Sequence, residues 1–408
     1  MSNTPNEPFG VVYPKGFKAA GIHCGVKKKK RDLALIYSEA PCTASGTFTR
    51  NLVKAAPVLL SEENIKGTIR GIVANSGNAN ACTGEKGMEN ARRMAAAAAE
   101  AMNIQAEEVL VASTGVIGVQ LPIEKILEGI PLAAAELGGE KEQGIDSAEA
   151  IMTTDTFRKS FTAEFAYEGK EIRLGGICKG SGMIHPNMAT LLGFVTTDAA
   201  IDKELLAELV AEGVNRSFNA ITVDGDTSTN DMVVVLANGA SGTPTIHDRE
   251  EELCSLFREK LFELLKRMAK SIVLDGEGAT KFIEVRIQGA RNEEDAIRAG
   301  KSIATSSLVK TAAFGEDANW GRILAAAGYS GISFNPYETN IYIGSAKGEL
   351  LVCEMGMGLD FDEDLAKKIL SEDEIYYLVE MAEGKGDAVI LTCDLSYDYV
   401  KINGSYRS

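Results

Sequence analysis

The run Lys179-Gly180-Ser181-Gly182-Met183-Ile184-His185-Pro186-Asn187-Met188-Ala189-Thr190-Leu191-Leu192-Gly193 is the densest gathering of reactive and conformationally special residues in the chain. Its glycines and Pro186 constrain a loop that feeds an apolar strand expected over Leu191–Thr196. A threonine at the mouth of a buried strand has a plain reading as β-branched filler. It also has a chemical one. The Thr190 hydroxyl can attack the Ala189 carbonyl and exchange the amide for an ester, which water then hydrolyses. The new α-amine of Thr190 has an ordinary pKa of about 7.7–8.0, so a neutral fraction exists at physiological pH. That amine is general base for its own hydroxyl, a nucleophile–base pair within one residue. Lys179 helps keep the amine neutral by like-charge repulsion. His185 either polarises the Ala189 carbonyl during cutting or caps the loop.

Weaker signals surround this one. Ser113-Thr114-Gly115 reads as an ordinary turn after a strand, although a glycine there lets backbone approach a reacting carbonyl closely. Gly276-Glu277-Gly278 lacks the third glycine and leading strand of a dinucleotide loop. Asp224-Gly225-Asp226-Thr227-Ser228-Thr229-Asn230-Asp231 is acidic but lacks the spacing and terminal glutamate of a calcium loop, so it reads as a polar turn. His23, His185 and His247 lie far apart, and the cysteines form no CxxC pair, so no metal site is expected. The run Lys27-Lys28-Lys29-Lys30-Arg31 reads as an exposed charged turn. Trp320 and Arg322 read as packing and pairing residues.

The elements that must position this chemistry are mixed. Alanine-rich Gly84–Met102 predicts a helix. It is preceded by a strand over Gly67–Ala74, which runs into a polar turn Asn75-Ser76-Gly77-Asn78, and followed by a strand over Val109–Ala112. Helices are predicted over Lys203–Val214 and Arg249–Ile272, the second with Leu253, Phe257, Leu261, Leu264 and Leu265 at helical spacing. Strands are predicted over Met232–Ala237, Phe282–Ile287, Thr339–Ile343, Leu350–Glu354 and Ala388–Asp394. The alternation makes the chain α/β or α+β. Elements recur on both sides of residue 190, so either half could own a sheet.

Composition narrows the class. The 408 residues carry 42 Lys+Arg against 58 Asp+Glu, a net charge of −16 that argues against a nucleic-acid partner. No apolar run approaches bilayer-spanning length, so no membrane role is expected. Met1–Gly10 lacks the apolar middle of a signal peptide. The 7 cysteines are scattered and odd in number, which suits reduced thiols in a cytoplasm, most of them as small core residues.

The segment from Lys179 to Leu192 closely resembles the self-cleavage segment of the ornithine acetyltransferases, the glutamate N-acetyltransferases of arginine biosynthesis. Further segments agree with that family in order: Ala112-Ser113-Thr114-Gly115-Val116-Ile117-Gly118, Met152-Thr153-Thr154-Asp155-Thr156, Asp275-Gly276-Glu277-Gly278-Ala279-Thr280-Lys281, Gly315-Glu316-Asp317-Ala318-Asn319-Trp320-Gly321-Arg322, and the terminal Tyr399-Val400-Lys401-Ile402-Asn403-Gly404-Ser405-Tyr406-Arg407-Ser408. The likeness spans nearly the whole chain, and it favours Thr190 as nucleophile over Thr190 as filler.

The resemblance implies cleavage between Ala189 and Thr190, giving an α chain of residues 1–189 and a β chain of residues 190–408 that opens with the nucleophile. It implies ping-pong transfer of an acetyl group from N-acetylornithine to glutamate through an acetyl-threonine ester. The oxyanion hole comes from Thr114 and Gly115. Substrate is held by Thr153, Lys179, Thr190, Glu277, Asn403 and Ser408. Of these, Lys179 suits a carboxylate and Glu277 an ammonium, with Thr153 and Asn403 as neutral partners. Without the resemblance, Glu277 and Asn403 both read as solvated surface, and a site role for Ser408 requires a docked C-terminus. The family further implies an α2β2 assembly and a layered α/β/β/α fold akin to, yet distinct from, the N-terminal-nucleophile hydrolases. No cofactor is required. Some members also take acetyl from acetyl-CoA as co-substrate, which no residue here decides. The rivals are a related self-cleaving aminopeptidase or amidase, in which water accepts the acyl group, and an unprocessed amino-acid-binding protein.

Overall fold

The computed structural model describes residues 6–185 and 191–405, so Ala189, Thr190 and Ser408 lie outside the described residues. Two compact units divide the chain. The larger comprises residues up to 219 together with 226–272, and the smaller comprises 220–225 and the chain from 273 onward.

Among the described residues, the larger unit is built on β1 (Phe17–Ile22), β2 (Leu33–Phe48), β3 (Ile69–Asn78), β4 (Val109–Val116), β5 (Lys159–Tyr167), β6 (Lys170–Lys179), β7 (Leu192–Thr197) and β8 (Met232–Ala237). Their order is β4-β3-β2-β8-β7-β6-β5, with β1 added to the first half of β2. β3 runs parallel to β4 and β7 parallel to β8. Every residue of β7 and β8 is buried. That suits Met-Val-Val-Val-Leu-Ala, a β-branched run without alternation, which reads as a strand covered on both faces. The halves on either side of residue 190 do not each own a sheet. β7 and β8, which follow it, are inserted between β2 and β6, which precede it.

The helix Gly84–Met102 matches its expected span and buries Ala91, Met94, Ala95, Ala98 and Ala99; Asn103 closes it in the left-handed region at φ 53°. The long helix starts at Glu252 rather than Arg249 and ends at Leu274, with its predicted apolar stripe fully inside. No described helix is long and apolar enough to cross a membrane.

The strand expected to stop at Ala74 continues through Asn78, and its partner expected to stop at Ala112 continues through Val116. Both extensions are polar, which is why they read as turns. They persist as strand because their side chains are satisfied internally: the Ser113 hydroxyl donates to Asn75 Oδ1 (2.6 Å), Asn75 Nδ2 to the Asn78 carbonyl (2.9 Å) and Ser76 Oγ to the Ala150 carbonyl (2.5 Å).

The smaller unit is formed by β9 (Phe282–Ala290), β10 (Asn340–Ser345), β11 (Gly348–Glu354), β12 (Met357–Gly358), β13 (Glu374–Glu380) and β14 (Gly386–Cys393), in the order β12-β11-β10-β13-β9-β14. Helix Glu293–Thr305 is capped by Asn292, whose side chain accepts from the Asp295 N–H. Trp320 packs on this unit's core, and an Arg322 guanidinium N–H donates to the Leu308 carbonyl, the structural roles expected of both. Cys42, Cys178, Cys254, Cys353 and Cys393 are buried free thiols. The protein is thus mixed α/β with two sheets.

Candidate active site

The ends of β3 and β4 present Thr114 and Gly115. In register, Ser76 faces Thr114 and Gly77 faces Gly115. Gly115 sits at φ +133°, and a Cβ there would lie 2.4 Å from the Gly77 carbonyl carbon, so only glycine allows the two backbones to approach this closely. Asn230 fastens this corner: its Nδ2 donates to the Ser113 carbonyl (2.8 Å) and the Ala79 carbonyl (2.6 Å). The acidic turn from Asp224 therefore supports the strand ends through one neutral residue. Nothing in its local pattern signalled that.

Lys179, at the end of β6, is 8% exposed and points its ammonium at Thr114 Oγ1 (3.4 Å). Across the ladder it faces Leu192, the first residue of β7. Behind it lies Asp155, a hub to which the local sequence assigns no role. Its carboxylate accepts from the Thr153 N–H (2.8 Å), the Gly180 N–H (2.8 Å) and Lys159 Nζ (2.7 Å). Both Asp155 and Lys159 have fully buried side chains. Burial pushes the Asp155 carboxyl up, but the ammonium groups of Lys159 and Lys179 and the bonds from Lys159 and Thr153 outweigh it and hold the group well below the usual carboxylate range. One carboxylate thus ties together the Thr153 turn and the start of the glycine loop. The four-residue spacing of Asp155 and Lys159 was no local signal, since it pairs side chains on a helix and this stretch is a turn leading into β5.

Three of the predicted residues, Thr114, Gly115 and Lys179, are brought together, and Thr153 is joined to them through Asp155. The His185 carbonyl accepts from Thr227 Oγ1 (2.8 Å), and Ile184 forms a bridge with Thr227, so the loop is anchored just before its undescribed part. Of the basic run, Lys28, Lys29 and Lys30 are exposed as expected, whereas Lys27 turns inward.

In the smaller unit Glu277 is not the solvated residue its glycine-flanked turn suggests. It is 8% exposed, and Asn403 Nδ2 donates to its carboxylate (2.8 Å). The helix Tyr397–Ser405 is seated by Gly278, which lies at φ +70° and whose Cβ would fall 2.5 Å from Tyr399 N. Ser396 Oγ donates to the Gly278 carbonyl. The helix is thus held at Tyr399 and Asn403 as far as the described residues run, and Ser408 lies beyond them. No group of His, Cys, Asp or Glu among the described residues could hold a metal ion.

A close-packed pair of strand ends, a buried lysine and a carboxylate hub inside a mixed α/β fold make up the candidate active site. Residues 18–408 match the ArgJ family. The arginine biosynthesis bifunctional protein ArgJ of Caldanaerobacter subterraneus is 56% identical over 98% of this chain and 98% of its own, and that of Thermotoga neapolitana 52% identical over 98% and 100%. The chain belongs to the ArgJ family, the arginine-biosynthesis acetyltransferases that its motifs resemble. The Mycobacterium tuberculosis ornithine acetyltransferase crystallised with ornithine is 39% identical, with a TM-score of 0.40 over 45% of this chain and 97% of that one.

Proposed function

We propose that the chain cuts itself between Ala189 and Thr190 and that the freed Thr190 carries an acetyl group from N-acetylornithine to glutamate. The α-amine of Thr190 takes the proton from its own hydroxyl as the oxygen attacks the acetamide carbonyl. A tetrahedral oxyanion forms and is met by Thr114 and the Gly115 peptide. Collapse breaks the amide bond, and the amine proton leaves with ornithine. The glutamate amine then attacks the acetyl-threonine ester, releasing N-acetylglutamate and restoring the hydroxyl. Thr153, Lys179, Thr190, Glu277, Asn403 and Ser408 are the proposed substrate residues, with Lys179 on a carboxylate and Glu277 on an ammonium. No cofactor takes part, since the acetyl group travels on Thr190.

The single observation that carries this reading is the geometry around Lys179, which meets Thr114 on one side and the first strand residue beyond Thr190 on the other. Residues 1–189 and 190–408 stay associated after cutting because parting them would break both the β2–β8 and β6–β7 ladders. Assembly as α2β2 follows from the same family reading, and a cytoplasmic location from the scattered cysteines, which suit a reducing compartment. Relatives named bifunctional support a second donor, acetyl-CoA, for the same threonine.

The test is the intact mass and N-terminal sequence of each purified species, with and without Thr190→Ala. The wild type should give a fragment beginning Thr190-Leu191-Leu192, and the variant one uncut, inactive chain. Two fragments from the variant would end the self-cleavage claim. With acetylornithine and excess glutamate the product should be N-acetylglutamate; acetate as the main product would make the protein an amidase. N-acetylglutamate formed from acetyl-CoA and glutamate alone would establish the second activity, and a blank assay would make the enzyme monofunctional.

A further inference from the structure

Lys27 belongs to a basic run whose neighbours face solvent, yet its own side chain runs into the protein. The loop that carries it is held by Asp32, which is fully buried and whose carboxylate accepts from the N–H groups of Cys24 (2.6 Å), Gly25 (3.2 Å) and Lys27 (2.7 Å). The stem of Lys27 lies on Gly77: a Cβ at Gly77, which sits at φ +102°, would come within 2.8 Å of Lys27 Cγ. Gly77 is the strand partner of Gly115. At the far end the Lys27 ammonium donates to the carbonyl of Met152 (3.0 Å), the residue before Thr153. One side chain therefore touches the backbone behind the proposed oxyanion hole and the turn that carries a proposed substrate residue.

We infer that Lys27 is a positioning residue of the acyl-transfer site, its stem bracing the Gly77–Gly115 backbone pair and its ammonium holding the turn that presents Thr153. The inference rests on the roles proposed above for Thr153 and Gly115. The groups acting on the ammonium are Asp32 and Lys30 from its own loop, Asp155 from the turn beyond Met152, and Lys179 from the end of β6. Burial lowers the Lys27 pKa to about 8, with the two aspartates opposing and the two lysines adding to the shift. A neutral amine is a weaker donor than an ammonium, so the grip on Met152 slackens as pH rises through this range.

The experiment compares the wild type with Lys27→Met and Lys27→Arg as processed enzymes, measuring kcat and KM for N-acetylornithine from pH 6 to 10 and cleavage by intact mass. Methionine keeps an apolar stem and loses the donor; a lost charge-assisted bond corresponds to a KM rise of about tenfold or more, with processing intact. The wild-type KM should climb above about pH 8, and that alkaline limb should vanish in Lys27→Met. Arginine stays charged throughout, so Lys27→Arg should retain a KM near the wild-type value at neutral pH and also lack the limb. The amine of Thr190 gives a rise in rate with pH, the opposite limb. An unchanged KM and pH profile in Lys27→Met would overturn the inference, as would a loss of stability with KM untouched. A wild type that stays whole or transfers no acetyl group would instead refute the underlying reading, and the role of Lys27 with it.

Discussion

Converting Asp155 to asparagine tests whether one buried carboxylate organises the site, and the Thr190→Ala chain is the right background because processing cannot then confound unfolding. Asp155 and Lys159 stand 2.7 Å apart with both side chains wholly out of solvent. Asparagine keeps the shape and removes the charge that neutralises the Lys159 ammonium. Removing one member of such a buried pair costs about 3–5 kcal/mol. The Thr153 and Gly180 N–H groups bond to different carboxylate oxygens, so asparagine keeps one of these bonds, weakened by roughly 0.5–1 kcal/mol, and turns its NH2 toward the other N–H, a lost bond that costs about 1–3 kcal/mol. The expected loss is thus at least about 5 kcal/mol, comparable with the whole stability of a marginal domain. Adding Lys159→Met removes the stranded charge, so the double variant should recover about 3 kcal/mol of that loss. Urea unfolding of the parent, both single variants and the double variant closes the cycle. A coupling energy below about 0.5 kcal/mol would show that the pair does not act as a unit and would refute the reasoning.

The depressed Asp155 pKa has a signed consequence: its stabilisation is present above the unfolded value of about 3.9 and is lost as pH falls below it toward the lower folded value, so acid unfolding of the parent should steepen below about pH 4 and flatten in the double variant. Gly115→Ala places a Cβ 2.4 Å from the Gly77 carbonyl carbon at a φ of +133°, so the backbone must shift; acetyl transfer should fall roughly 10²–10³-fold, and a kcat within threefold of wild type would remove Gly115 from the oxyanion hole. Gly278→Ala would collide with Tyr399 N and should undock the helix Tyr397–Ser405, raising amide exchange there and KM for substrate while leaving cleavage intact. Unaltered exchange in that helix would refute this.

Some of the protein was legible from residue order because the physics involved is local. The alanine helix, the Met-Val-Val-Val-Leu-Ala strand and the leucine stripe of the long helix follow from propensity and periodicity within a few turns of chain. The proposal for Thr190 likewise rests on a short segment, the glycine loop ahead of it and the chemistry of a threonine with its own amine. Polar strand ends misled the reading at Asn75–Asn78 and Ser113–Thr114, since the partners that satisfy them come from other parts of the chain.

By itself, then, the sequence determined the mixed α/β class and, through ordered motifs along nearly its whole length, the family, and it pointed to the segment proposed to carry the nucleophile. Tertiary structure alone decided four things. β7 and β8 slot between β2 and β6, so the two proposed fragments share a sheet. Glu277 is buried against Asn403 instead of lying in solvent. Lys27 is singled out from its exposed neighbours, and Asp155 becomes a hub through its bond to the Gly180 N–H. The reason is common to all four. A charge or a strand edge takes its meaning from what covers it, and the covering groups arrive from residues distant in the chain, where no local spacing can announce them.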